Sequence, residues 1–166
     1  MTIEDLVKQA VSIEANEWVL PLLWSFARLR PETICGEVGF KNGSSALAMC
    51  IGARESGGRV YSIDINPCRE GRARVKAEGY ADIHTFIQGD SAAVEFPEPL
   101  DVLFIDGSHS YEDVKLDHQK HRSSVKAGGV ILFHDPMSWA PCGQYLDEAK
   151  VPYFRCGSGL GLEVVA

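Results

Sequence analysis

The sequence predicts an α/β domain with a doubly wound sheet of seven strands, mostly parallel and finished by an antiparallel C-terminal hairpin. Three observations carry this expectation. From residue 33 onward, short apolar runs alternate with helix-length segments, the pattern of parallel strands joined by crossover helices. Glycines follow the helical segments at Gly57-Gly58, Gly79 and Gly128-Gly129, and a left-handed cap forms most easily at glycine. The last two apolar runs are separated only by Gly157-Ser158-Gly159, which suits a hairpin rather than a crossover.

The elements follow in order. Thr2 with Asp5 three residues on forms a capping box, and Leu6, Val7, Ala10 and Val11 recur at helical spacing, so an amphipathic helix opens the chain. A second helix is expected with Pro21 in its first turn, Leu22, Leu23, Phe26 and Leu29 on its apolar side, and Pro31 at its end. Residues 1–30 thus form a helical cap on a core spanning 33–166. Strands are expected at Thr33–Val38, Val60–Ile63, Ile83–Ile87, Val102–Ile105 and Val130–Phe133, with helices Ser44–Glu55, Pro67–Glu78 and Tyr111–Lys126. Tyr153–Cys156 and Leu160–Val165 make the hairpin, one strand of which runs antiparallel to the rest. Pro136–Lys150, between the fifth strand and the hairpin, leaves little chain for a substrate-selecting lid.

The bulk properties bound the function. A chain of 166 residues, 45% hydrophobic, is expected to fold as one domain, 1–166, with a real core. The net charge of −7 is spread along the chain, which argues against a nucleic-acid or anionic-membrane partner and favours a small substrate. Arg69, Arg72, Arg74 and Lys76 on one helix are expected to form a solvated face. No run approaches the roughly 20 apolar residues that cross a bilayer, and Thr2-Ile3-Glu4-Asp5 is unlike a secretory signal, so a cytoplasmic protein is expected. Cys35, Cys50, Cys68, Cys142 and Cys156 include no Cys-x-x-Cys pair and are expected mostly as buried small apolar residues. Leu22, Leu23 and Phe26 could cover the sheet or pack across a two-fold axis, which leaves a homodimer open.

Chemistry is expected at the carboxyl ends of the strands, where open α/β sheets bind ligands. Strand Thr33–Val38 runs into Gly39-Phe40-Lys41-Asn42-Gly43-Ser44-Ser45 and then a helix, so backbone N–H groups point outward there. The spacing is neither the dinucleotide G-x-G-x-x-G nor a phosphate loop. Glu37 would repel a pyrophosphate yet accept from an ammonium group. Asp64, with Ile65 after it, ends the second strand where an acidic residue grips a ribose diol, and Gly89-Asp90-Ser91 ends the third. Together these describe a pocket for an adenosyl group joined to an amino acid.

Glu37-x-Gly39-x-x-x-Gly43, Asp64, Gly89-Asp90 and Asp101-Val-Leu-Phe-Ile-Asp106 resemble the successive motifs of class I S-adenosylmethionine-dependent methyltransferases, with a Rossmann-like fold, over nearly the whole chain. Ile105-Asp106-Gly107-Ser108-His109-Ser110-Tyr111 and Gly128-Gly129-Val-Ile-Leu-Phe-His134-Asp135 further resemble a bacterial subgroup related to macrocin O-methyltransferases and cephalosporin hydroxylase-like proteins. The resemblance implies that Glu37 holds the methionine amine, that Gly39, Gly43, Ser44 and Ser45 line the loop, and that Asp64 takes the ribose. Asp90 would lie near the adenine, with Ile65, Gly89 and Ser91 as further cofactor-binding residues, and Asp106 would face the methyl-transfer centre.

In related cation-dependent O-methyltransferases the aspartates matching Asp106 and Asp135 bind a divalent metal, and a lysine base stands at the position of His109. Pro136 departs from the further amide ligand of those enzymes. His134 could replace that ligand, and an imidazole tilts the choice from magnesium toward manganese or iron. The resemblance therefore implies catalysis by Asp106, His109, His134 and Asp135, transferring a methyl group to a small acceptor, at oxygen. Against this stands a plainer role for His109, capping the helix that begins at Tyr111. A non-catalytic adenosyl-binding or regulatory module is the competing function, and a nicotinamide oxidoreductase is disfavoured by the missing third glycine. His84, His118 and His121 are expected as surface or satisfied histidines, and Trp18, Trp24 and Trp139 as packing residues, Trp139 near enough to brush a substrate.

Overall fold

The computed structural model describes residues 1–11, 18–155 and 157–166; Cys156 and the side chains of Ala10 and Val11 lie outside the described residues. The capping box forms as the sequence predicts. Thr2 Oγ1 accepts from the Asp5 amide and Asp5 Oδ2 from the Thr2 amide, both at 3.2 Å, at the start of α1 (Ile3–Val11). Helix α2 (Val19–Phe26) holds Pro21 in its first turn but ends well before Pro31. Leu29, beyond that end, is 60% exposed and Leu22 is 36% exposed, so the expected apolar side is corrected to Val19, Leu20 and Leu23.

The core comprises β1 (Ile34–Val38), α3 (Ser44–Ser56), β2 (Arg59–Asp64), α4 (Arg69–Ala77), β3 (His84–Gln88), β4 (Leu100–Ile105), α5 (Tyr111–His121), β5 (Val125–His134), α6 (Ala140–Ala149), β6 (Tyr153–Phe154) and β7 (Leu160–Val164). The seven strands lie in the order β3-β2-β1-β4-β5-β7-β6. β1 to β5 pair in parallel, while β7 is antiparallel to both β5 and β6. This is the predicted Rossmann-like sheet with its antiparallel hairpin strand.

Alternation along the strands feeds two cores. Val102 and Phe104 of β4 share a cluster with Leu6 of α1, Leu23 of α2, and Leu47 and Met49 of α3. Leu103 and Ile105 face Val114, Tyr145 and Leu146 of α5 and α6. All six residues of β4 are buried, which explains the apolar run Val102–Ile105.

One expectation is corrected. The helix predicted to reach Lys126 ends at His121, and a 3-10 turn over Arg122–Ser124 leads into β5. Val125 is buried and pairs with Leu100, so sheet pairing takes it out of the helical phase; Gly128, at φ +75°, lies where the ladder is irregular. Residues 136–150 contain α6, which begins with a proline in its first turn, a position that proline favours. Cys142, Tyr145 and Leu146 anchor it in the core. Cys35, Cys50 and Cys142 are buried free thiols, as expected, and Cys68 is free but half-buried. Among the described residues no helix is long and apolar enough to cross a membrane.

The amino end of the sheet is closed by Asp101, 5% exposed, whose Oδ2 accepts from the Ile34 amide and from Lys126 Nζ, each at 2.9 Å. Lys126 is 41% exposed, so its charge contributes little; the buried amide matters more, because removing its acceptor strands it. Asp101→Ala should lower unfolding free energy by about 2 kcal/mol in urea denaturation. An unchanged midpoint would mean that this bond is not a fixed part of the fold.

Candidate active site

Gly39 leaves β1 at φ +94°, and a Cβ there would lie 2.1 Å from the carbonyl oxygen of Asp106. The Gly39 amide donates to the Ile63 carbonyl and the Asp106 amide to the Val38 carbonyl, both at 2.9 Å. The glycine loop, the end of β2 and the end of β4 are therefore locked together. Asp64 reaches back over the loop, its Oδ2 accepting from the Phe40 and Lys41 amides at 3.0 Å each and its Oδ1 from the Asn66 amide at 2.8 Å. Burial pushes its carboxyl up, but the bonds from Lys41, Asn66, Cys68 and Phe40 outweigh this and hold it below the usual carboxylate range.

Glu37 is fully buried behind this loop. Its oxygens accept from Ser45 Oγ at 2.5 Å and Ser62 Oγ at 2.6 Å, and Ser62 Oγ lies 2.8 Å from His84 Nε2. Burial pushes the Glu37 carboxyl up to about 8, against the pull of the two serine bonds, while burial and the charge of Arg72 push His84 down to about 4. Both groups are neutral near pH 6, and a hydrogen-bonded pair of neutral groups is the cheaper way to bury them.

A cleft of about 1170 Å³ opens at the carboxyl ends of β1 to β5. Gly39, Ser44, Ser45, Asp64, Ile65, Gly89, Asp90, Ser91 and Asp106 line it, as the sequence predicts for a cofactor pocket, whereas Glu37 and Gly43 lie behind its wall. Gly43, at φ +76°, instead packs against the Phe40 ring and Gly71 of α4. Sequence reasoning missed Val19, Leu20 and Leu23 of α2, which line the cleft as well as the core, and Asp113, Leu116 and Asp117 of α5. No local signal marks these residues; only the docking of α2 and α5 beside the strand ends brings them in.

At the other end of the cleft β4 and β5 deliver four side chains. Ligand atoms of Asp106, His109, His134 and Asp135 all lie within 4.8 Å of one another. His134 Nδ1 is 2.8 Å from Asp106 Oδ1 and 3.4 Å from Asp135 Oδ2, and His109 Nε2 is 3.0 Å from Asp135 Oδ2. Asp135 stands at φ +61°, and its Oδ1 is buried without a hydrogen-bond partner among the described residues. A strained backbone and an orphaned carboxylate oxygen are costs that an enzyme keeps at a working site. Burial lowers the His134 pKa, yet the Asp106 bond and both neighbouring carboxylates more than reverse this and leave it raised.

His109 does not cap α5. Ser110 is the N-cap, its Oγ accepting from the Asp113 amide at 3.1 Å, which leaves the imidazole to the cluster and to Trp139, whose ring lies 5.0 Å from it. Trp139 is 52% exposed, so it is not a core residue. His118 is a satisfied histidine, bonded to Tyr145 and Glu163 at 2.7 Å each. Arg69, Arg72 and Lys76 are exposed as expected, but Arg74 docks α4 by donating to Ser44 Oγ at 2.9 Å.

A ligand cleft at the carboxyl end of a doubly wound sheet, with an imidazole–carboxylate cluster at one end, marks an α/β protein of the small-ligand class. The chain belongs to a family described as "Methyltransferase domain", whose pattern matches residues 37–136, from the buried glutamate to the end of the four-residue cluster. Solved structures share the fold. An O-methyltransferase from Bacillus cereus in complex with SAH is 15% identical at a TM-score of 0.76, covering 99% of this chain and 90% of the other. The O-methyltransferase TomG from Streptomyces achromogenes, involved in tomaymycin synthesis and in complex with SAM, is 14% identical at 0.75, covering 99% and 89%. SAH-bound PaMTH1 from Podospora anserina is 20% identical at 0.73, covering 92% and 80%. Among curated protein sequences none matches this chain.

The buried pair has a pH signature. The raised Glu37 pKa means that the folded state holds this proton more tightly than the unfolded chain, so its contribution to stability is full below about 4.5 and is lost as pH rises toward about 8. His84 has the opposite sign, its contribution being full above 6.5 and lost as pH falls toward about 4. Between pH 6.5 and 8 Glu37 is the member of the pair that titrates, and His134, also raised, adds a loss of the same sign. Unfolding free energy of the ligand-free protein should fall across that window, Glu37 contributing at most about 1.4 kcal/mol per pH unit, and Glu37→Gln should reduce the slope. An equal slope in the variant would assign the effect to another group.

Proposed function

We propose that this protein is a cytoplasmic enzyme that transfers the methyl group of S-adenosylmethionine to an oxygen of a small acceptor, assisted by a divalent ion. The observation that carries the proposal is the charge of the cleft. Asp64, Asp90, Asp106, Asp113, Asp117 and Asp135 line it against one lysine, Lys41, a balance that attracts a sulfonium and an ammonium group and repels a pyrophosphate. Membership of the methyltransferase family supports it, as does the SAM or SAH bound by proteins of the same fold.

The residues divide the work along the cleft. Ser45, anchored on Glu37, and Ser44 beside it at the start of α3 receive the amino-acid end, after the turn that Gly43 makes. Asp64 receives the ribose diol beside the loop turned by Gly39. Ile65, Gly89, Asp90 and Ser91 receive the base, and Asp106 stands between the cofactor and the acceptor. S-adenosylmethionine supplies a methyl group already activated on sulfur, so what the protein must add is alignment and removal of the acceptor's proton.

Asp106, His134 and Asp135 fit a divalent ion, which supplies a lower pKa for an acceptor hydroxyl. The partnerless Asp135 oxygen supports this fit, and the mixed imidazole–carboxylate donor set suits manganese or iron better than magnesium. His109 is the most exposed of the four, at 31%, and takes the acceptor proton at Nδ1 while Asp135, 3.0 Å from Nε2, steadies the resulting imidazolium. Exposed Trp139 beside it offers an apolar wall to the acceptor. A binding module on the same fold would have no use for a strained, partnerless Asp135.

Calorimetric titration with S-adenosylhomocysteine should show saturable binding, weakened at least about tenfold in Asp64→Ala through lost charged hydrogen bonds; no heat from the wild type would refute the cofactor assignment. Asp135→Asn should keep S-adenosylhomocysteine affinity within about threefold, yet lose manganese binding in electron paramagnetic resonance titration and reduce methyl transfer to hydroxylated acceptors by at least about 100-fold. Full turnover in that variant would remove the metal and its cluster from the mechanism.

A further inference from the structure

The α5 side of the cleft holds a carboxylate that the roles above leave unused. Asp117 is 4% exposed yet lines the cleft. Its Oδ1 accepts from Ser91 Oγ at 2.6 Å. Its Oδ2 has no hydrogen-bond partner among the described residues. Residue 107 is the glycine that leaves this oxygen uncovered, since a Cβ there would stand 3.3 Å from Asp117 Oδ2 and 3.2 Å from Val38. A polar oxygen this enclosed, with one neighbour and an opening toward a cavity, calls for a donor in that cavity.

The surroundings say what kind of donor. Ser91 ends the β3 loop and Gly107 follows β4, so Asp117 faces the part of the cleft assigned to the base. Ile65 and Leu116 are large apolar side chains left 65% and 46% exposed in the same cleft, surfaces suited to the faces of a planar ring. Ser91 is itself held in place, because its carbonyl lies 3.0 Å from His121 Nε2. Asp90 and Asp113 add carboxylates to the same lining, in which the one lysine, Lys41, belongs to the glycine loop. Such an edge welcomes an N–H and repels a carbonyl oxygen, which is the difference between the exocyclic amine of adenine and the oxygen that replaces it in hypoxanthine.

We propose that Asp117 determines base specificity, its Oδ2 accepting a hydrogen bond from the exocyclic amine of adenine while its Oδ1 holds Ser91. This rests on the S-adenosylmethionine assignment above. Discrimination of this kind exceeds what a hydrophobic slot alone achieves, because the wrong base leaves a buried carboxylate facing an acceptor.

The test is calorimetric binding of S-adenosylhomocysteine and of S-inosylhomocysteine, its analogue with oxygen in place of the amine, to the wild type and to Asp117→Asn. The wild type should prefer the adenosyl ligand by at least about tenfold, and the variant should shrink that ratio at least about fivefold, since a carboxamide can donate to the oxygen. The ratio is read within each protein, so a general loss of affinity cancels from it. Binding of both ligands by the variant with the wild-type ratio, even if both are weaker, overturns the proposal and leaves the cofactor assignment standing. Binding of neither ligand by the wild type overturns both. Should Asp117→Asn not fold by circular dichroism, Gly107→Ala provides the second variant; its methyl covers the same oxygen, and an unchanged ratio there also overturns the proposal.

Discussion

The glycine loop meets the end of β4 so closely that the space of a missing Cβ at Gly39 is occupied by the Asp106 carbonyl. Everything at the site depends on this contact. It joins the strand that ends in the ligand-binding loop to the strand that delivers Asp106, and two backbone bonds, from Gly39 to Ile63 and from Asp106 to Val38, hold the arrangement. A methyl group at position 39 would have to displace backbone rather than a flexible side chain. Asp64 then pins the loop from β2, so three successive strand ends are fixed relative to one another before any ligand arrives. Such preorganisation means that binding need not order the loop.

Behind that contact the protein buries Glu37 and His84 on either side of Ser62. Burial drives both toward their neutral forms, in opposite directions on the pH scale, so the wall of the site carries hydrogen bonds without a buried charge. In front of it the balance reverses. The cleft gathers six aspartates against one lysine, and at its far end two histidines stand among Asp106 and Asp135. The contrast between a neutral wall and an acidic cleft underlies the proposal of a sulfonium cofactor and an ion.

Much of this was legible in the residues. The alternating runs located all seven strands, because buried parallel strands have to be apolar throughout and helix patterns between them have to be amphipathic. Gly39, Asp64, Asp90, Asp106 and Asp135 could be read because each stands at the end of an apolar run, and the carboxyl ends of parallel strands converge by topology. The boundaries read less well where tertiary pairing overrode local preference. Val125 left its helix to pair with Leu100, and Leu29 lost its place on the apolar side because α2 ends at Phe26. Helix α6 escaped notice because its proline and glycine resemble loop residues until Tyr145 and Leu146 find the core.

The sequence by itself determined the sheet, its order of strands and helices, and the turn chemistry of the loop, since these follow from periodicity and from the steric needs of single residues. Only the tertiary structure decided which side chains share a space. It removed Glu37 from the cleft surface and gave it Ser45 and Ser62 as partners, and turned Asp117 toward the end of β3. The physical reason is that helix docking depends on the packing of whole apolar faces, and a residue on α2 or α5 meets a strand end only once that packing is complete.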